Sequence, residues 1–190
     1  MEQNDFITAA RDSAIEWARN ILSLGSNVLI LDTETTGLDF SAEIVQISMI
    51  DLDCNVVMDT LVHPLNTIPR DAIAIHGITN AMVVEAPTWD QLYPKYLELV
   101  SGKELVIYNS DYDSRIIRQS CQARGIEAIY TGKTHCAMLN YAEYVGDWND
   151  YRGGFRWQKL QGGDHSALGD CRATLDLIKR MANASMSYES

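Results

Sequence analysis

Short apolar runs and longer amphipathic stretches follow one another along this chain, so the pattern predicts both strands and helices. Four segments have the apolar or alternating character of buried or half-buried strands. They are residues 28–33, 43–51, 56–62 and 104–108. Because the turn-forming residues 53–55 separate the second from the third, we expect the first three strands to form an antiparallel meander.

Apolar residues recur at helical spacing in a second set of segments. The predicted helices are residues 6–24, 71–76, 89–100, 112–124, 136–145 and 166–182. We expect the first of these helices to pack on the edge of the domain, with a dimerisation helix as the alternative. Residues 146–163 are rich in Gly, Trp, Tyr and Arg, and they are predicted to form a loop.

The length of 190 residues suits a single domain with a full hydrophobic core. No low-complexity tract or linker divides the chain. We therefore expect an N-terminal helical extension over residues 1–27, a main domain over residues 28–183 and a tail over residues 184–190.

Charge, hydrophobic runs and cysteine content exclude some classes of protein and favour others. The chain carries 26 acidic and 15 basic residues, and its net charge is −11. This charge argues against a broad basic surface for nucleic acid, but it permits a small site where metal ions neutralise the local acid. No apolar run approaches the ~20 residues that span a bilayer, and the N-terminus lacks a signal-peptide pattern. Four well-separated cysteines are typical of reduced thiols, so we expect a cytoplasmic protein with no membrane partner.

Two carboxylates follow directly after the first apolar run. Asp32 and Glu34 lie two residues apart, so both point to one face if the strand continues through them. Two like charges at the end of a buried strand carry a large desolvation cost unless a cation lies between them. A hard divalent metal with oxygen ligands fits this requirement best. The alternative is a solvated strand end that runs into a turn at Thr36-Gly37.

Two further acidic elements lie at predicted helix starts. Asp113 follows the strand 104–108, where capping of the helix is the alternative explanation for the polar residues. Asp170 follows His165 at the start of the last helix and has apolar neighbours. Four carboxylates can bind two divalent ions roughly 3.5–4 Å apart at a phosphate ester. A neutral histidine can accept a proton from an attacking water.

These elements resemble the three motifs of the DEDDh 3′–5′ exonuclease family. The motifs are Asp32-Thr33-Glu34-Thr35-Thr36-Gly37-Leu38, Asn109-x-x-Tyr112-Asp113 and His165-x-Ala167-Leu168-x-Asp170. Residues 74–79 also resemble the H-G-I-T loop of the family. The resemblance implies a ribonuclease H-like α/β fold, in which a mixed five-stranded sheet is flanked by helices. The predicted helix 6–24 lies outside the common core of the family and would be an extra N-terminal helix. Residues 28–183 would then be the exonuclease domain.

The resemblance also implies a role for each matching residue. Asp32, Glu34 and Asp170 would hold the catalytic metal, and Asp113 would help Asp32 to hold a second. Both metals would be Mg²⁺ or Mn²⁺, and His165 would be the general base. The residues expected to contact the terminal nucleotide or to shape its pocket are Thr35, Leu38, His76, Asn109 and Tyr112.

The implied activity is metal-dependent 3′–5′ exonuclease action by two-metal-ion hydrolysis. It would release nucleoside monophosphates from the 3′ end of single-stranded nucleic acid, with DNA somewhat favoured over RNA. Two kinds of protein partner are possible. One is a polymerase or another replication or repair protein, and the other is a second copy of this chain in a homodimer. Two alternatives on the same fold are a non-catalytic module that binds nucleic acid or a polymerase, and a phosphodiesterase that acts on dinucleotides.

The chain departs from the family just before the histidine motif. Only four residues separate Lys159-Leu160 from His165, so the helix that many members have there is absent or replaced by the loop 146–163. Aromatic and basic residues interleave in this loop, as they do in surfaces that stack on single strands. They are Tyr151, Arg152, Phe155, Arg156 and Trp157. The alternative is that the rings pin the loop to the body. Further candidates for contact with the phosphate backbone are Arg115, Arg118, Lys133 and Lys159.

Overall fold

Five strands form a mixed sheet in the computed structural model, which describes residues 3–129 and 132–187. The strands are β1 Val28–Thr35, β2 Ile44–Ile50, β3 Val56–Leu61, β4 Glu104–Ile107 and β5 Thr134–Cys136. The sheet order is β3-β2-β1-β4-β5. Strands β1, β2 and β3 pair antiparallel, whereas β4 pairs parallel with β1 and β5 pairs parallel with β4. The expected antiparallel meander and the mixed five-stranded sheet are therefore confirmed.

Helices cover both faces of this sheet. They are α1 Gln3–Ser23, α2 Arg70–His76, α3 Asn80–Val83, α4 Trp89–Val100, α5 Ser110–Ala123, α6 Ala137–Val145 and α7 Ala167–Ala182. A 3₁₀ turn at Gly25–Asn27 leads from α1 into β1. In the described part of the chain, no helix is long and apolar enough to cross a membrane.

Strand β1 lies at the centre of the sheet and is buried on both faces. Leu29 and Leu31 pack into one core with residues of α4 and α5. Val28 and Ile30 pack into a second core with residues of α1 and α7. Because side chains alternate along a strand, the even-numbered positions of β1 continue toward α7. This alternation decides which helix meets the acidic end of the strand.

Helix α1 packs on the domain, as expected. Its buried residues include Ala14, Ile15, Ala18 and Ile21. They lie at helical spacing, and the helix contacts α6 and α7 of the same chain. The apolar face of α1 is thus covered within the chain, and the dimerisation helix has no support from this packing.

Three sequence expectations were wrong in detail. The strand β5 and the short helix α3 were not predicted from the pattern, because three or four residues carry too little periodicity to be recognised. Helix α5 begins at Ser110 rather than at residue 112, so Asp111 lies in its first turn and Asn109 is the N-cap. The predicted loop 146–163 contains a hairpin of β6 Trp148–Asn149 and β7 Gly154–Phe155.

The packing of α1 leads to a stability prediction. Ile15 is fully buried, so Ile15→Ala is expected to lower the free energy of unfolding by about 2–5 kcal/mol. Glu16→Ala, on the exposed side of the same helix, is the matched control and is expected to change it by less than about 0.5 kcal/mol. Urea unfolding of the two variants measures both values. Equal and small losses would mean that α1 is not part of the cooperative domain.

Candidate active site

Three carboxylates from two elements meet at the end of β1. Asp32 and Glu34 occupy even-numbered positions of the strand, and Asp170 lies in the first turn of α7. One carboxylate oxygen from each of these residues lies within 4.8 Å of the corresponding oxygens of the other two. The tertiary structure therefore brings together the first and third predicted motifs, which are separated by more than a hundred residues of sequence.

Asp113 joins this cluster from α5 for a reason that lies in the sheet. Strand β4 ends at Ile107, opposite Leu31, while β1 continues to Thr35. Beyond that point the backbone amide of Thr33 has no partner in β4. The Asp113 carboxylate accepts this amide at 3.1 Å and the Thr33 hydroxyl at 2.7 Å. Asp113 is only 3% exposed, so these bonds hold a buried charge next to the other three.

The loop before α7 positions Asp170. The backbone amide of Asp164 donates to Asp170 Oδ1 at 3.0 Å. Ser166 caps the helix by accepting from the Gly169 amide, and Asp164 in turn accepts from the Ser166 amide and hydroxyl. A Cβ atom at Gly163 would lie 2.7 Å from Asp170 Oδ1. Glycine is therefore required there for the carboxylate to keep its place.

Burial and mutual repulsion raise the pKa of every acid in the cluster. For Asp32 the pKa is raised well above its usual range, first by burial and then by the charges of Asp113, Asp170 and Glu34. Burial, followed by repulsion from Asp170 and Asp113, raises the pKa of Glu34 from 4.5 to about 8. The pKa values of Asp113 and Asp170 are also raised, mainly by burial.

This donor set fits a hard divalent cation. Carboxylate oxygens are the ligands that Mg²⁺ and Mn²⁺ prefer, and a bound cation favours ionisation of acids that otherwise hold protons. Asp113 is not a solvated surface acid, because it is 3% exposed, and the charges of Asp113 and Asp170 both raise the pKa of Asp32 and Glu34. The acidic cluster is thus a candidate metal centre.

His165 lies at the edge of the cluster, in an unusual backbone conformation. Its φ is +60°, a left-handed value that is costly for a residue with a Cβ. The side chain is exposed, yet its charge lowers the pKa of both Asp170 and His76, so it lies near both of them. Strained residues of this kind concentrate at functional sites.

A cavity of about 470 Å³ adjoins the acidic cluster. Glu34 contributes to both the cluster and the cavity wall. Four of the five residues predicted to bind the terminal nucleotide also line it. They are Thr35, Leu38, His76 and Tyr112. The fifth, Asn109, lies outside the lining and forms the N-cap of α5 without a side-chain capping bond. The cavity volume is in the range of small-molecule sites.

Hydrogen bonds fix the polar wall of this cavity. The Tyr112 hydroxyl lies 2.6 Å from the Thr35 hydroxyl and 2.8 Å from the carbonyl oxygen of Gly37. The Ile78 amide donates to His76 Nδ1 at 3.0 Å, so the ring proton is on Nε2, which donates to the Thr35 carbonyl at 3.2 Å. Burial lowers the pKa of His76, which favours this neutral form.

Arg115 has a role that its sequence position did not indicate. It was a candidate for contact with phosphate, but its guanidinium donates to the carbonyl oxygens of Leu38 and Asp39 and lies over the ring of Phe40. Arg115 therefore holds the loop that carries Leu38 against the cavity. Another contributor that the sequence did not single out is Gly163, whose importance depends on a contact with a residue in another element.

Comparisons with known proteins identify the family. The Exonuclease family matches residues 29–178. The chain belongs to this family. It is 41% identical over 170 residues to an uncharacterized exonuclease, CP81, of Escherichia phage 186, covering 81% of this chain and 87% of the phage protein. It is also 34% identical over 95 residues to a DNA polymerase III subunit epsilon of Rickettsia felis, covering 47% of this chain and 42% of that protein.

Solved nucleases share the fold. Exonuclease X in complex with 5′ overhanging duplex DNA superposes with a TM-score of 0.57 and 27% identity, covering 84% of this chain and 95% of that one. The nuclease domain of 3′hExo, a DEDDh family member bound to rAMP, gives a TM-score of 0.62 at 18% identity, covering 85% and 94%. The ribonuclease H-like α/β fold with an N-terminal helix is confirmed.

The contact between Gly163 and Asp170 leads to a metal-binding prediction. Gly163→Ala is expected to weaken Mn²⁺ binding about tenfold, because the new methyl group displaces a ligand carboxylate. Gly154→Ala is the matched control, since a Cβ there meets nothing within 4 Å. Titration calorimetry with Mn²⁺ compares the two proteins. The same dissociation constant for both would contradict the assignment of Asp170 as a ligand.

The raised pKa values predict an unusual pH dependence of stability in EDTA. Folded Glu34 keeps its proton up to about pH 8, whereas the unfolded chain releases it near pH 4.5. The resulting stabilisation is complete below pH 4.5 and is lost as the pH rises through 8. We expect the melting temperature in EDTA to fall by several degrees from pH 5 to pH 8.

Two comparisons isolate the cause of this fall. Glu34→Gln or added Mg²⁺ should reduce it, whereas Asp176→Asn, at an exposed position of α7, should leave it unchanged. A melting temperature in EDTA that is constant or rises over this range would contradict the electrostatic account.

Proposed function

We propose that this member of the Exonuclease family is a metal-dependent 3′–5′ exonuclease acting on single-stranded nucleic acid, with DNA favoured over RNA. One observation carries the proposal: a cluster of three carboxylates, with Asp113 close enough to raise their pKa values, shares Glu34 with a cavity of about 470 Å³. A site for phosphodiester hydrolysis needs both parts side by side, because the scissile phosphate must lie between the metal ligands and the pocket for the leaving nucleotide.

Two divalent ions, Mg²⁺ or Mn²⁺, suit the four carboxylates. Asp32, Glu34 and Asp170 would hold one ion, and Asp32 with Asp113 would hold the other. When bound, such ions supply Lewis-acid stabilisation of the charge that develops on the phosphate oxygens. Thr33 keeps the Asp113 carboxylate in position through two hydrogen bonds.

The cavity residues would orient the terminal nucleotide. Leu38 is 80% exposed at the rim and offers an apolar surface to a base. The wall formed by Thr35, His76 and Tyr112 is fixed by its own hydrogen bonds and would not need to reorganise on binding. The resemblance to DEDDh enzymes and the likeness to epsilon-type proofreading subunits support a 3′ end as the bound terminus.

His165 would act as the general base in this reaction. Its side chain is exposed beside Asp170, where it can accept a proton from water and pass it to solvent. The strained backbone at this residue is consistent with a position that is maintained for function rather than for stability.

The wider setting is also a proposal. The epsilon-type relatives carry the name of a polymerase subunit, which supports a polymerase or another replication or repair protein as a partner. All four cysteines are free, which suits a cytoplasmic location.

The deciding experiment uses single strands labelled at the 5′ end, of both DNA and RNA, with Mg²⁺ or Mn²⁺. The native protein should produce a ladder that shortens from the 3′ end, and EDTA should abolish it. His165→Ala should slow it by about 10²–10⁴-fold, as loss of a general base does. Intact strands, or cleavage of dinucleotides alone, would contradict the proposal.

A second variant separates catalysis from folding. His165→Gly should be as slow as His165→Ala, but more stable by about 1 kcal/mol, because glycine tolerates the positive φ that alanine does not. Activity of the glycine variant close to the native level would remove His165 from the mechanism.

A further inference from the structure

The segment 146–163 contains a surface groove that the proposed chemistry does not use. The groove has a volume of about 460 Å³ and lies on the β6–β7 hairpin. Its principal side chains are those of Arg152, Phe155, Arg156 and Trp157. We name it the hairpin groove. It combines two cationic side chains with aromatic surface, which is the composition of sites for single-stranded nucleic acid.

Aromatic contacts hold the hairpin against α1. Phe6 of α1 stacks on Phe155, with ring centroids 5.9 Å apart and an angle of 5° between the rings. Trp148 contacts both rings edge-on at 5.3 and 5.1 Å. The ring of Phe155 therefore packs against α1 and the hairpin. This agrees with the alternative interpretation from the sequence, in which the rings pin the loop to the body. The N-terminal helix supplies the support on which the hairpin rests.

Trp157, in contrast, does not pack against another aromatic ring of the described residues. It is 69% exposed, and none of the aromatic contacts among the described residues involves it. Leaving a large ring in water forgoes the stabilisation that its burial would give. An exposed indole next to arginines is a ready stacking surface for a base.

The segment that carries the groove is slightly basic in an acidic protein. Residues 147–159 contain Asp147 and Asp150 against Arg152, Arg156 and Lys159, a net charge of +1, in a chain whose net charge is −11. Arg156 pairs with Asp147 at 3.3 Å, and both side chains are about half exposed, so the pair is weak. No carboxylate of the residues that the structure describes pairs with Arg152. The hairpin groove, with Arg152 and Arg156, therefore offers a polyanion two cationic side chains.

The hairpin groove is connected to the candidate active site by a short tether. The Tyr108 hydroxyl donates to the carbonyl oxygen of Gln158 at 2.5 Å, directly after Trp157 in the chain. Tyr108 follows the last residue of β4 and precedes Asn109, the N-cap of α5 that leads to Asp113. From Gln158 the chain reaches His165 in seven residues. The groove is therefore joined by short stretches of chain to the elements that carry Asp113 and His165.

We propose that the hairpin groove binds the single strand on the 5′ side of the terminal nucleotide. Arg152 and Arg156 contact phosphates, and a base stacks on Trp157. Phe6 is a positioning residue, because it fixes the hairpin through Phe155. This inference rests on the proposed exonuclease function and specifies its substrate as a strand longer than the terminal dinucleotide.

The test compares a long and a short substrate. The long one is a single-stranded thymidine 20-mer, and the short one is the p-nitrophenyl ester of thymidine 5′-monophosphate, which reaches only the active site. Trp157→Ala and Arg152→Ala should raise KM for the 20-mer about tenfold, a factor typical of a lost stacking or phosphate contact. Their activity on the ester should match that of the native protein, which also reports that they are folded.

Matched controls separate the groove from its surroundings. Tyr151→Ala removes an aromatic side chain that is 97% exposed on the same hairpin but outside the groove. Lys95→Ala removes an equal charge from α4. Both variants should have the native KM for the 20-mer. Trp157→Tyr, which keeps an aromatic ring, should also have a KM close to the native value rather than the raised value of Trp157→Ala. Phe6→Ala should raise KM for the 20-mer and leave the ester unaffected.

Binding gives a second readout that does not depend on turnover. Fluorescence anisotropy of the labelled 20-mer is measured in the His165→Ala background at several salt concentrations. Arg152→Ala should reduce the slope of log affinity against log salt by about 0.7, the value for one phosphate contact with a single strand. An unchanged slope, or equal KM values for groove and control variants, would overturn the proposal.

The two proposals fail in different ways. If the native protein shortens no strand but the groove variants still lose affinity, the exonuclease function fails and the binding surface stands. If the native protein shortens strands and every groove variant matches its control, the exonuclease stands and the groove is not a binding site.

Discussion

Repulsion among four buried or half-buried carboxylates is the constraint around which this structure is arranged. Asp32, Glu34, Asp113 and Asp170 come from three elements, and burial and mutual charge raise the pKa of each of them. Such a cluster is costly in the absence of a cation, since its acids must either keep their protons or repel one another. The surrounding fold holds them together despite this cost, as the proposed metal site would require.

Several otherwise unrelated features of the fold hold the site in place despite this repulsion. Strand β1 extends beyond the end of β4, so the backbone amide of Thr33 is not paired with β4 and donates to Asp113. Glycine at position 163 leaves room for the Asp170 carboxylate. Arg115 holds the loop that carries Leu38. Each feature fixes a side chain of the site on a rigid element, which favours catalysis because little reorganisation is needed.

The N-terminal helix contacts both the core and the β6–β7 hairpin. Its buried face packs on α6 and α7, and its first turns carry Phe6, which supports the hairpin. The helix therefore packs against α7, which bears Asp170, and separately fixes the β6–β7 hairpin. An element that lies outside the three motifs thus contributes to the position of one of them.

The sequence by itself determined the family, the central strands and the acidic motifs, because contiguous apolar runs and closely spaced residues are local properties. It could not determine β5 or the hairpin, whose few residues are ordered by pairing with neighbours rather than by their own periodicity. It also could not show that Phe155 packs against Phe6 and Trp148 while Trp157 is exposed, or that Arg115 faces backbone carbonyls. Those outcomes depend on which side chains distant segments bring into contact, and only the tertiary structure decides that.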